Sequence, residues 1–267
     1  MNNIDELKFH KQFNTYVKYT SLAIKISKSV AGRFVDYRKG WASILFTKIC
    51  VISISLKKLA DLDTGKKYNS HWDFNSAFTL ARNLMECYQT FFYLCIDKIS
   101  EDEALARKNL FNYHDFISRE KLFKEIGKEE PDKDLKDQLI KELTSTKYFQ
   151  NLEEKQQRHF LKGATAFFLS REEIEHKIGN SKSAFKVNYQ LLSTYTHSFP
   201  MGFYKMFEPD RGTGVKTPIE EIYSAYALGL AEGYLKLAIN NMLEIFPDLY
   251  DKLNKQDKDL LEIKNPL

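Results

Sequence analysis

Cysteine is scarce: the 267-residue chain has three. An odd set cannot pair off completely within one chain, which excludes a disulfide framework as the basis of the fold. Cys50, Cys87 and Cys95 stand inside apolar helical patterns, where they act as small hydrophobes. Only 6 prolines and 11 glycines are present, which argues against a fibrous or disordered chain and leaves long stretches without a breaker. Long apolar runs are missing too. The most apolar segment, residues 41–55, is broken by Lys48 and followed by Lys57 and Lys58, well short of the ~20 uncharged residues of a membrane span. The start, MNNIDELKFHKQFN, has no basic head, apolar run and small-residue cleavage site in the order of a secretory signal. These absences predict a cytoplasmic chain without a membrane-spanning helix.

What is present suits a real core: 43% hydrophobic residues, 14% of the chain being aromatic, at a mean hydropathy of -0.45 that fits a soluble protein. The apolar spacing is helical almost throughout. It predicts helices over residues 4–30, 41–62 and 71–100, then a more polar one from Ser100 to about Gly127. Residues 128–180 are strongly charged and read as an insertion or lid within a single helical domain of residues 1–267. Further helices follow over 184–199, stopped by Pro200, and from Pro218 to about Phe246. Ser100 with Glu103, Ser170 with Glu173 and Thr217 with Glu220 each have capping-box spacing. Ala225, Gly229 and Gly233 recur every four residues, as if to let a neighbouring helix approach closely. The expected architecture is all-α, an up-and-down helical bundle with a polar helical insertion.

Charge is uneven. Residues 1–70 carry 13 Lys and Arg against 5 Asp and Glu, while the whole chain nets only +4. Lys11, Lys18 and Lys25 repeat every seven residues and make a basic stripe on the first helix, a surface that could meet RNA or an acidic partner, or simply water.

The segment 71–100 organises the rest. Its apolar side chains sweep more than half of the helix circumference, leaving a strip of Asn75, Arg82, Glu86, Gln89 and Tyr93 that must find partners or a cleft. On a later helix Tyr189, Ser193 and His197 fall on one edge at four-residue steps. Were the two rows to meet, His197 could move a proton while Arg82 stabilised developing charge on a phosphodiester. Arg82, Glu86, Tyr189, Ser193 and His197 read equally as an internal ion-pair and hydrogen-bond network that fixes helix register, and a protein-binding or oligomerising module with this buried network is the expected reading. Closure of Arg82 and Glu86 in the core would favour a protein-binding or oligomerising module; a cleft shared by an arginine and His197 or His114 would favour catalysis.

Arg82-x-x-x-Glu86, followed some way on by Tyr189-x-x-x-Ser193-x-x-x-His197, resembles a family of bacterial helical proteins of unknown function and, more distantly, the HEPN superfamily, over about residues 72–200. The HEPN resemblance implies a helical bundle and a metal-independent ribonuclease of antiphage defence or toxin–antitoxin stress response, built on an Arg followed closely by His. No Arg lies within residues 184–199, a departure from that pattern, whereas Arg107 and His114 do have the spacing, with Lys108 where a small polar residue is usual. His114-Asp115 resembles the dyad of HD phosphohydrolases, but Phe116-Ile117 replaces the Gly-Lys that commonly follows. Glu173-x-x-His176 is a single copy of a di-iron ligand pair that needs two. No metal or cofactor is expected. The loop 212–217 ends at a helix N-terminus that could hold an anion, yet Glu220 and Glu221 oppose one, and a hinge is the simpler reading.

Overall fold

Asp73 accepts the Ser76 backbone N–H at 3.0 Å and starts a helix whose successive turns bury Phe74, Phe78, Ala81, Leu84, Met85, Tyr88 and Phe91. A helix this apolar has to be covered on several sides at once. The computed structural model describes residues 2–61, 71–128, 133–197, 199–208, 212 and 214–262, with side chains from Lys8 onward. Among these residues every regular element is helical, and none of the helices is long and apolar enough to cross a membrane. The turn expected at 63–65 and Pro209 lie outside the described residues.

The chain divides into two compact units, Met1–Cys95 with Asn180–Leu267, and Ile96–Gly179. The first is built from α1 (Asn2–Val30), α2 (Tyr37–Ala60), α3 (Phe74–Phe91), α9 (Lys182–Thr196), α10 (Pro200–Lys205) and α11 (Pro218–Ile245), closed by the short α12 (Asp248–Asp251) and α13 (Lys255–Glu262). Helix α3 packs against α2, α9 and α11, and α1 packs against α2 and α11. Past Phe91 it widens into a π turn, Phe92–Ile96. Helix α2 starts earlier than its apolar pattern suggests. Asp36 accepts the Lys39 N–H at 3.0 Å, so the cap lies before Gly40 and the glycine sits inside the helix. Pro200, expected as a stop after α9, opens α10 at its first turn, where a missing N–H costs nothing. The tail is anchored on α1: Tyr19 donates to the Leu260 carbonyl at 2.7 Å, and Lys25 pairs with Asp257 at 2.8 Å.

The second unit holds α4 (Glu101–Glu125), α5 (Lys133–Thr144), α6 (Lys147–Gln150), α7 (Glu154–Phe160) and α8 (Arg171–Ile178). Helix α4 is its spine: Leu110, Tyr113, Phe116 and Ile117 meet Leu139 and Leu143 of α5, Phe149 of α6 and Phe160 of α7. The sequence boundary at 128 falls inside this unit, because α4 carries a polar face on one side and the unit's core on the other. Asp102 receives the Lys147 and Tyr148 N–H groups at 3.1 and 2.6 Å and so caps α6 from outside.

Of the three expected capping boxes one closes. Ser170 Oγ accepts the Glu173 N–H while Glu173 Oε2 accepts the Ser170 N–H at 2.7 Å. In the other two the hydroxyl does its part but the acid goes elsewhere: Glu103 to Arg107, and Glu220 to the Gly212 N–H at 2.8 Å. Burial pushes the three thiols up, Cys50 and Cys95 to about 12 and Cys87 to about 11, in keeping with their packing role.

The four-residue stripe on α11 is not a close-packing seam. A Cβ at Gly233 would meet nothing within 4 Å, and one at Gly229 only the end of Gln12. Gly163 is the opposite case, with φ +64 and the Ile117 side chain 2.5 Å from where a Cβ would stand. Gly233→Ala is therefore expected to stabilise the protein by about 0.5–1 kcal/mol, and Gly163→Ala to destabilise it by at least about 1 kcal/mol. Urea unfolding of the two variants checks both signs.

Candidate functional site

Helix α9 lies on α3 because its apolar edge completes an aromatic cluster. Tyr195 stands 5.2 Å from the Phe74 ring and 5.3 Å from the Phe78 ring, and Tyr223 of α11 closes on both phenylalanines. With that edge fixed, the flanking row of α9 falls opposite Arg82. The guanidinium Nε donates to Glu86 Oε1 at 3.0 Å, Nη2 donates to the Tyr189 hydroxyl at 2.8 Å, and Nη1 lies 2.8 Å from His197 Nε2. Arg82 Cζ is also 4.7 Å from the Tyr189 ring centroid, close enough for cation–π attraction.

Arginine has no acceptor, which settles the tautomer. Nε2 of His197 must accept, so the imidazole in this contact is neutral and carries its proton on Nδ1. Arg82 has five N–H bonds, and its three contacts leave one on each terminal nitrogen without an acceptor among the described residues. Tyr189 accepts a hydrogen bond from Arg82 and keeps its own O–H to give. The cluster is not sealed: the Arg82 side chain is 15% exposed and Glu86 28%, and His197 at the α9 C-cap is exposed.

Arg82, Glu86, Tyr189 and His197 thus come together, four of the five residues expected to converge. Ser193 does not join them, since its hydroxyl turns back to donate to the Tyr189 carbonyl at 2.6 Å. The α3 strip divides. Arg82 and Glu86 face the α9 row, whereas Gln89 and Tyr93 are fully buried. The alternative pair is differently placed. Arg107, 1% exposed, is clamped by Asp97 at 2.9 Å and Glu103 at 2.5 Å, and His114 Nδ1 donates to the Gly163 carbonyl at 2.8 Å. Asp97 is further held by Lys177 at 2.9 Å. Each of the two is committed to a partner inside its own unit. Of the basic stripe, Lys11 and Lys18 are exposed, and Lys25 is also exposed but neutralised by Asp257.

Sequence spacing missed the cavity beside α3 and α11, lined by His71, Trp72 and Glu220 among others. The one signal was Glu220 itself, an acid at a helix start beside a glycine-rich loop.

These environments predict different costs. Arg107→Met leaves buried Asp97 with Lys177 alone and takes the arginine from Glu103, and should lose about 3 kcal/mol. Tyr189→Phe keeps the ring and removes one partly exposed hydrogen bond, costing about 1 kcal/mol. Chemical denaturation of both variants tests the ranking.

Comparison with curated proteins returns no match, and comparison with solved structures returns none. One family profile does match, over residues 39–214, a span that includes both α3 and α9. The chain belongs to the family of unknown function DUF5677.

Proposed function

We propose that the chain is a metal-independent ribonuclease whose centre is the Arg82–His197 pair. The observation that carries this reading is the exposed imidazole of His197, 2.8 Å from a guanidinium that keeps free N–H bonds on both terminal nitrogens. A neutral histidine in reach of solvent is the form that accepts a proton. In the proposed reaction the substrate phosphate draws Arg82 Nη1 off His197, the freed Nε2 takes the proton of a ribose 2′-hydroxyl, the 2′-oxygen bonds to phosphorus, and the bond to the 5′-oxygen breaks with protonation of that leaving oxygen by water. The products are a 2′,3′-cyclic phosphate and a 5′-hydroxyl. Arg82 turns its remaining N–H bonds to the non-bridging oxygens as charge builds there, and Tyr189 gives its O–H to the same group. Glu86 fixes the plane of the guanidinium. The setting implied by the HEPN resemblance, antiphage defence or a toxin–antitoxin stress response, goes with this activity, and Lys11 and Lys18 offer phosphate contacts.

Purified protein in the presence of EDTA should cleave an RNA oligonucleotide and spare one with a 2′-deoxy sugar at the scissile position. His197→Ala and Arg82→Ala should each lose about 100-fold or more in rate, with Arg107 and His114 variants that fold retaining activity. An absence of cleavage of any RNA by the wild type, or full activity of His197→Ala, sinks the reading.

A second reading, association through a bundle face, rests on a separate observation. Phe199, Met201, Phe203, Tyr204, Met206 and Phe207 are all 48–73% exposed along and around α10, next to His197. Exposed apolar patches of this kind mark contact surfaces. A second copy of the chain is the occupant we propose, in keeping with a homo-oligomeric module. Sedimentation should then show a dimer for the wild type and a monomer for the Phe203→Asp, Phe207→Asp double variant; a monomeric wild type removes it.

A further inference from the structure

Glu220 stands at the third position of α11, fully buried, and lines a cavity of about 240 Å³ together with His71, Trp72, Asp73, Asn75 and Gly214. One carboxylate oxygen, Oε1, accepts the Gly212 N–H at 2.8 Å. The other, Oε2, is buried and has no hydrogen-bond partner. Two more groups at the same cavity are in that state: the indole N–H of Trp72, a residue 4% exposed, and Oδ1 of Asn75. The two unsatisfied acceptors among them, Glu220 Oε2 and Asn75 Oδ1, are costly unless something donates to them. The described lining contains no lysine or arginine; its charged groups are Glu220 and Asp73, with His71 beside them. Asp73 is partly used as the α3 cap, through the Ser76 N–H.

The wall is built, not incidental. Gly214 has φ +76, and a Cβ there would come within 2.8 Å of the His71 ring, while its carbonyl accepts the Trp72 N–H at 3.1 Å. The loop and the start of α3 are thereby locked edge to edge. The Gly212 N–H, which an anion at this loop would need, is already taken by Glu220. That bond argues against the anion reading of the loop.

We propose that this cavity binds a small free organic cation bearing N–H groups, an alkylammonium or alkylguanidinium, with Glu220 Oε2 and Asn75 Oδ1 accepting from it. Size restricts the ligand to a few heavy atoms, about eight water volumes in all. Burial, chiefly, and the Asp73 carboxylate raise the Glu220 carboxyl above its usual range, against the Gly212 and Phe74 N–H groups and His71, which lower it. An incoming cation would reverse that penalty. The site shares no residue with the Arg82 cluster, so its test is independent of ribonuclease activity.

The chain has 2 tryptophans, and a Trp41→Phe background leaves Trp72 as the reporter within the cavity wall. Titration with methylammonium and with methylguanidinium should move the Trp72 indole cross-peak saturably at millimolar concentration or below. Tetramethylammonium, which has no N–H, and acetate should not. Glu220→Gln should weaken the response by about ten-fold or more, the value of a charge-assisted hydrogen bond. Asn75→Leu, which fills the space from a half-buried position, should do the same and serves if Glu220→Gln does not fold. No saturable shift with either cation, equal saturation by tetramethylammonium, or undiminished affinity in the folded variants overturns the proposal.

Discussion

The first unit stands on the burial of α3. A helix apolar around most of its circumference is stable only if neighbours cover it, and α2, α9 and α11 do so. Covering it brings a difficulty with it, because Arg82 has five donors and no acceptor of its own. Whatever packs over that turn must present acceptors to it. Helix α9 does, with a phenol at its middle and an imidazole at its end, while its aromatic edge seats on Phe74 and Phe78. The packing and the polar cluster specify one register together: sliding α9 by one turn would break the aromatic contacts and the Arg82 bonds at the same time.

The capping acids follow a related logic. An N3 glutamate gains little by reaching back to its own cap when a stronger partner is near. Glu173, at an exposed turn, closes its box with Ser170. Glu103 is drawn to the buried Arg107, where charge-assisted bonds in a dry site outweigh an exposed turn. Glu220 is drawn to the Gly212 N–H across the loop that precedes α11. The two boxes that stay half-formed thus coincide with two buried acid clusters, one in each unit.

A good part of this arrangement is legible in the sequence. The apolar period locates the long helices, and Ser100, Ser170, Thr217 and the proline after it locate three starts. The α9 row and the Arg82–Glu86 pair are legible as rows, since residues four apart share a helix face. Other features are not. Asp36 overrides the more obvious break at Gly40, and Pro200 starts a helix where its fixed backbone reads more simply as a stop. Gly229 and Gly233 look like a packing seam, yet the space beside them is open. Helix α4 reads as peripheral because its polar face is wide, although the other face holds the core of the second unit.

Sequence alone therefore settles local matters: which segments are helices, where hydroxyls cap them, and which side chains share a face. Those properties depend on backbone geometry within a few residues, and composition and spacing encode them directly. The packed fold was needed to show that Arg82 meets Tyr189 and His197 but not Ser193, that Arg107 is locked between carboxylates, and that Glu220 faces a cavity. Each is a contact chosen among competing partners far apart in the chain, and hydrogen-bond energies at close range, not periodicity, select the partner.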